Sequence, residues 1–135
     1  MADYPRLLHT VLDTTDARGS AEFYRELLGL RYRPGDEPSG DDRHADWLVL
    51  VDQAGRRQLA FQQVERLPRS TWPTHEVPMQ LHVDFTVPDA TELARHRDRA
   101  CALGATILLD RSDDPEEPLY VLADPAGHPF CFLVG

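Results

Sequence analysis

Leu8-His9-Thr10-Val11 opens the first apolar run of the chain, and Leu81-His82-Val83-Asp84 opens another in its second half. Each run ends at an aspartate that enters a helix-like stretch, Asp16 in one case and Asp89 in the other. The two His are 73 positions apart, and so are the two Asp. Asp52-Gln53-Ala54-Gly55 is echoed by Asp124-Pro125-Ala126-Gly127 at a spacing of 72. Self-similarity at a fixed period determines architecture before any residue is given a role. A pseudo-twofold repeat carries its paired His onto equivalent strands, where both can face one shared cavity.

Working outward, each half reads as strand, helix, strand, strand, strand. Residues 6–14 form an apolar strand, and Asp16 caps a helix whose Ala21, Tyr24, Leu27 and Leu28 recur at helical spacing. Gly29 is a C-cap signal. Residues 31–33 are a short strand, and the Gly-, Pro- and Asp-rich residues 34–43 read as a mobile loop. Residues 47–51 and 58–64 form a hairpin around the Asp52 turn. Residues 65–78, with three prolines, read as a linker. The second half gives a strand over 79–87 and a helix from Asp89 to about Leu103, ended by Gly104. A strand over 105–109, a loop over 110–118 and a hairpin of 119–123 with 129–134 complete it. The whole of 1–135 reads as one domain: module one over about 5–64, the linker, and module two over about 79–135.

The composition is that of an ordinary soluble globular chain, with 135 residues, 41% hydrophobic and 27% charged. A net charge of −9 argues against a nucleic-acid partner. The fourteen basic residues are scattered, which argues against an anionic-membrane patch. No apolar run approaches the roughly 20 residues of a membrane span. The N-terminus lacks a basic-then-apolar signal pattern. Cys101 and Cys131 do not make a disulfide framework, so a reducing cytoplasm is the expected location.

These features resemble the vicinal oxygen chelate superfamily, the glyoxalase, bleomycin-resistance and dioxygenase group. The matching stretches include Leu8-His9-Thr10-Val11, Phe23-Tyr24-Arg25-Glu26-Leu27-Leu28-Gly29-Leu30 and Leu81-His82-Val83-Asp84-Phe85. Asp124-Pro125-Ala126-Gly127-His128-Pro129-Phe130-Cys131 completes them, and its ending looks most like the glyoxalase-like subgroup. The resemblance implies an α+β fold of two βαβββ modules whose sheets curl around a shared cavity. It also implies a homodimer. In metal-dependent members each module supplies one ligand from its first strand and one, usually Glu, from its last.

Carried over by position, the first-strand ligands fall on His9 and His82. The last-strand position of module two is Cys131, and that of module one is Ala60, with Gln62 next on the same face. Both His are kept and both carboxylates are lost, although a hard divalent ion would want those oxygens. A zinc site of His9, His82 and Cys131 would still leave a tetrahedral position open. The alternative is that His9 and His82 are polar cavity residues and no metal binds.

Period-two alternation places Gln80, His82, Asp84 and Thr86 on one face of their strand, with Leu81, Val83, Phe85 and Val87 on the other. Asp84 can then orient the His82 imidazole, and such a pair can act as a general base. In the last strand, Cys131 and Leu133 share the cavity face opposite Phe130 and Phe132. Nothing nearby lowers the Cys131 pKa, so a nucleophilic role is not implied. Trp72 could stack on a planar ligand, or pack the linker onto a sheet edge or a dimer interface. Trp47 is structural or cavity-lining. His44, His75, His96 and His128 read as solvated.

The reading that emerges is a small-molecule binding protein, with His9, Gln62, Trp72, Gln80, Thr86 and Cys131 as contacts and without the usual metal site. The alternative is a metal-dependent lyase, isomerase or dioxygenase acting on a small oxygenated metabolite. Whether the chain is an enzyme stays open at this level.

Overall fold

The structure is a computed structural model that describes residues 4–42 and 45–135. The chain forms two compact units, one running to Arg66 and the other from Leu67 to Gly135. The first unit contains β1 (Thr10–Thr14), α1 (Ala17–Leu28), β2 (Arg31–Tyr32), β3 (Trp47–Val51) and β4 (Arg57–Gln63). The second contains β5 (Val83–Val87), α2 (Ala90–Ala102), β6 (Thr106–Arg111), β7 (Leu119–Ala123) and β8 (Pro129–Val134). Each unit is therefore strand, helix, strand, strand, strand, and the α+β repeat holds. Each sheet has four strands, ordered β1-β4-β3-β2 and β5-β8-β7-β6. The first strand of each pairs parallel with the last, and the other neighbours run antiparallel. No helix among the described residues is long and apolar enough to cross a membrane.

The repeated aspartates explain why these residues fold alike. Asp16 Oδ1 accepts from Gly19 N–H at 3.0 Å, and Asp89 Oδ1 accepts from Glu92 N–H at 2.8 Å. Each carboxylate satisfies an otherwise orphaned amide in the first helical turn. A Cβ on Gly19 would lie 2.3 Å from Asp16 Oδ2, so the glycine makes room for the cap. Gly29 closes α1 in the left-handed conformation, φ 66°, with its N–H on Arg25 O. Gln63 ties the end of β4 to the same corner, accepting from Ala17 N–H at 2.8 Å and donating to Thr15 O at 2.6 Å.

The two hairpins share a turn at atomic detail. Asp52 Oδ1 accepts from Ala54 N–H and Arg56 N–H, both at 2.9 Å. Asp124 Oδ1 accepts from Ala126 N–H at 2.9 Å and His128 N–H at 3.0 Å. Gly55 and Gly127 take positive φ, 82° and 97°, which the turn requires and a side chain resists.

Each helix covers one face of its own sheet. Tyr24 stacks on Phe61 with ring centroids 5.7 Å apart, and Leu12 and Leu48 flank Phe61 across the strands. In the second unit His96 packs on Phe132 at 6.1 Å, and Arg97 lies over the Tyr120 ring and donates to its hydroxyl. His96 is thus three-quarters covered and held between Arg95 and Arg99, which corrects its reading as a solvated helix-surface histidine. The i, i+3 and i+4 positions of a helix share one face, and here that face lies over the sheet.

Three further readings change. The first strand of each unit begins later than the apolar run, at Thr10 and Val83, because the preceding backbone leaves the ladder. Gln80 sits at φ 62°, so period-two alternation stops there and Leu81 is 48% exposed instead of buried. The loop over 34–42 is tied down: Arg18 donates to Asp36 O, Glu37 O and Asp42, and Asp36 accepts from Val49 N–H at 2.9 Å. His44 lies outside the described residues.

Phe61→Ala should destabilise the protein by about 3–5 kcal/mol, because it removes a fully buried ring under Tyr24. Asp16→Ala should cost about 1 kcal/mol through the lost cap. Urea denaturation followed by circular dichroism measures both, and equal losses would contradict this ranking.

Candidate functional site

Residues directly opposite one another across neighbouring strands share a sheet face. Asp84 pairs with Cys131, and Cys131 with Val121; Thr86 pairs with Leu133, and Leu133 with Leu119. These residues occupy the face opposite α2. Leu119, Val121 and Cys131 form a buried apolar cluster there, with Trp72, Met79, Leu108 and Leu133 packed against it. Cys131 therefore shares a face with Leu133 and lies opposite Phe130 and Phe132, as alternation requires.

A polar trio stands on this face. One nitrogen of His82, one carboxylate oxygen of Asp84 and the Cys131 sulfur all lie within 4.8 Å of one another. His82 Nε2 is 3.3 Å from Asp84 Oδ1. His82 and Asp84 are exposed, whereas Cys131 is buried. Burial pushes the Cys131 thiol up to about 12, and its hydrogen bond to the neighbouring Asp84 carboxylate adds to the shift. A thiol held protonated is a poor nucleophile at neutral pH. An imidazole, a carboxylate and a thiolate are nevertheless a donor set that fits zinc, which leaves a fourth position for water or substrate. A bound metal would remove the thiol proton outright.

Trp72 lies in a loop that satisfies itself. Val77 N–H donates to Thr71 Oγ1 at 2.9 Å, Thr71 N–H donates to Val77 O at 2.7 Å, and Ser70 Oγ donates to Val77 O at 3.1 Å. Trp72 packs against the apolar cluster of Leu119, Val121 and Cys131 in its own unit. Gln80 and Thr86 stand apart from the trio's contacts. Gln80 is exposed before β5, and the Thr86 hydroxyl donates to Gly135 O at 3.0 Å.

The first unit carries the other sequence-derived residues on the face opposite α1. Val11, Ala60 and Val49 form one row, and Asp13, Gln62 and Trp47 form the next. Val49, Val51 and Ala60 are buried together. Gln62 is exposed. His9 precedes β1 and leans on Trp47, ring centroids 6.0 Å apart. Its Nδ1 is buried with no hydrogen-bond partner among the described residues. Burial, then the Arg57 and Arg33 charges, lower its pKa below the usual histidine value. Ala60 offers no donor atom, and two guanidiniums make this a poor place for a cation.

Sequence reasoning paired Asp84 with His82 but did not bring it to Cys131. The signal lay in the parallel pairing of β5 with β8, which sets Asp84 directly opposite Cys131. It also left Arg57 unremarked. A register shift matches Leu50 with Leu59 but Val51 with Arg57, so Gln58 is skipped and Arg57 joins the face of Val51. No residue type announces that bulge.

Comparison with known proteins agrees with the resemblance seen in sequence. The profile of the glyoxalase-like domain family matches residues 9–133. No curated protein matches the chain. Among solved structures, a glyoxalase-related enzyme from Fulvimarina pelagi is 20% identical, covering 98% of this chain and 89% of its own, with a TM-score of 0.69. The fosfomycin resistance protein FosX from Mesorhizobium loti is 17% identical, covering 100% of this chain and 94% of its own, with a TM-score of 0.67. A glyoxalase/bleomycin resistance protein/dioxygenase family enzyme from Burkholderia phytofirmans PsJN is 15% identical, covering 94% and 96%, with a TM-score of 0.66. At these identities the likeness is one of fold.

The native protein should take up one thiol label at pH 8, on the exposed Cys101, and a second only after denaturation. Intact-mass analysis reads this directly, and two adducts forming at similar rates would contradict a buried, protonated Cys131. A thiol raised in the folded state contributes stability that is full below its ordinary value of 9.0 and is lost as pH climbs toward about 12.

Proposed function

We propose, starting from the fact that this chain belongs to the glyoxalase-like domain family, that it binds a small molecule on the open sheet face of its second unit. The observation that carries this reading is the trio of His82, Asp84 and Cys131 beside the apolar patch of Leu119, Val121 and Leu133. An apolar wall with a few convergent polar groups is the usual make-up of a small-ligand site. The apolar body of the ligand rests against Trp72 and Met79, and its polar end meets His82 and Asp84. Cys131 supplies packing and a thiol donor, not a nucleophile. The protein then acts by holding a drug-like or metabolite molecule, and the family's usual metal site is not required. His9 and Gln62 are secondary contacts belonging to the first unit. The homodimer implied by the resemblance, and the cytoplasmic location expected from the two unpaired cysteines, belong to this same reading.

A second reading is favoured by one observation, the mixed donor set within 4.8 Å. Asp84 supplies a carboxylate that the last strands lack. In this reading His82, Asp84 and Cys131 hold a divalent metal, which would polarise oxygens on a bound substrate. The chain's own part is then to orient the substrate against Trp72 and to let the His82–Asp84 pair carry a proton.

Protein prepared with chelator and screened by thermal shift against aromatic drugs and metabolites should give hits that raise Tm. His82→Ala and Trp72→Ala should each weaken such binding about tenfold, or roughly 1.4 kcal/mol. Zinc, nickel and manganese added alone should leave Tm unchanged. Stoichiometric metal uptake that disappears in His82→Ala would replace this reading with the second.

A further inference from the structure

The first unit presents a feature that the reading above does not use. Arg31 pairs with Val51 on β2–β3, and Val51 pairs with Arg57 on β3–β4. The three residues form one cross-strand row on one face, so two guanidiniums flank a valine. Arg33 follows two residues after Arg31. A cleft of about 540 Å³ opens at this point, lined by all three arginines with Tyr32, Pro34, Glu37, Val51 and Gly55.

The charges in this cleft are unevenly satisfied. Arg33 is paired with Asp36 at 3.1 Å, and Glu37 is turned to the Gly35 N–H at 2.8 Å. Among the described residues, the Arg31 side chain reaches only a backbone carbonyl, Gln53 O, at 3.1 Å. Arg57, half-buried, forms no ion pair or hydrogen bond among the described residues. In a chain of net charge −9, where Arg18, Arg25, Arg33, Arg56, Arg95, Arg97 and Arg111 each sit on a carboxylate, the Arg57 guanidinium lines a cleft without one. His9 adds a buried imidazole nitrogen without a partner, in the field of Arg57 and Arg33. The planar fork of arginine matches carboxylate and phosphate oxygens in pairs.

We infer that the Arg31–Val51–Arg57 cleft is a binding site for a small organic oxyanion, a carboxylate or a phosphate or phosphonate carried on an apolar body. Arg57 and Arg31 take the anionic head. Val51 and Pro34 take the body. Glu37, on the same wall, disfavours anions that bring a second charge to its side. The site lies in the first unit and does not rest on the His82 trio.

Naphthoate, naphthyl phosphate and neutral naphthamide serve as probes, with binding measured by calorimetry at constant ionic strength. The wild-type protein should bind at least one of the two anions about tenfold more tightly than the amide. Arg57→Gln should remove that preference, Arg57→Lys should restore part of it, and Arg66→Gln should leave it unchanged. Which anion is preferred distinguishes a carboxylate from a phosphate ligand. Unchanged melting of Arg57→Gln shows that the loss is not one of fold. Equal binding of anions and amide, or no anion binding, would overturn the inference. Binding lost in His82→Ala but kept in Arg57→Gln would overturn it too, and would place the ligand on the second unit.

Discussion

The register of the two hairpins is the constraint on which the rest of the structure depends. Side chains alternate along a strand, so a slip of one residue exchanges the two faces of a sheet. Asp52 and Asp124 fix the turns from which each register is counted, and in the first hairpin a one-residue shift just beyond the turn completes it. Each carboxylate accepts two backbone N–H groups of its own turn, and each turn closes on a glycine at positive φ. With the turn fixed, Phe61 and Phe130 must meet the helices, and Ala60 and Cys131 must take the other face. The parallel addition of β1 and β5 then carries Asp13 and Asp84 onto those open faces. The chemistry of each face is thus decided several residues away, by a carboxylate occupied with its own turn.

The units diverge where the register shifts. In the first, the shift lies between β3 and β4 and moves Arg57 onto the open face. In the second, it lies between β6 and β7, where Leu108 is the residue skipped. One shift brings a cation to the open face and the other leaves apolar residues beside Cys131. The last-strand positions differ in the same sense, alanine in the first unit and cysteine in the second. Two copies of one framework thereby offer a basic cleft and a His–Asp–thiol trio.

How much of this was legible in the sequence follows from the same physics. The caps, the hairpin turns and the alternation of Phe130-Cys131-Phe132-Leu133 are local, and local chemistry is what sequence displays. Asp16, Gly29, Asp52, Asp89 and Gly127 all act within a few residues of themselves. His9 and His82 were found because they repeat, yet each lies just ahead of its strand, and before β5 the backbone at Gln80 takes a positive φ that no motif signals. The Asp84–Cys131 contact depends on which strands are neighbours, and Arg57 depends on a bulge. His96 looked solvated because its helix neighbours are charged, whereas Phe132 beneath it belongs to a distant strand.

In the proposed reading, Trp72 decides how a ligand would meet the second unit's face. The ring is part of the apolar patch, so an incoming molecule must share that patch or displace it. Displacement re-exposes a partly buried indole, at about 1.5–3 kcal/mol for a large apolar side chain. The loop itself need not unfold, because the bonds among Ser70, Thr71, Thr74 and Val77 close within it. A rigid loop that gives up one ring contact loses less than a segment that must reorganise, whose backbone alone costs about 1–2 kcal/mol per residue. A ligand that stacks on Trp72 avoids even that loss, which favours planar molecules over compact aliphatic ones.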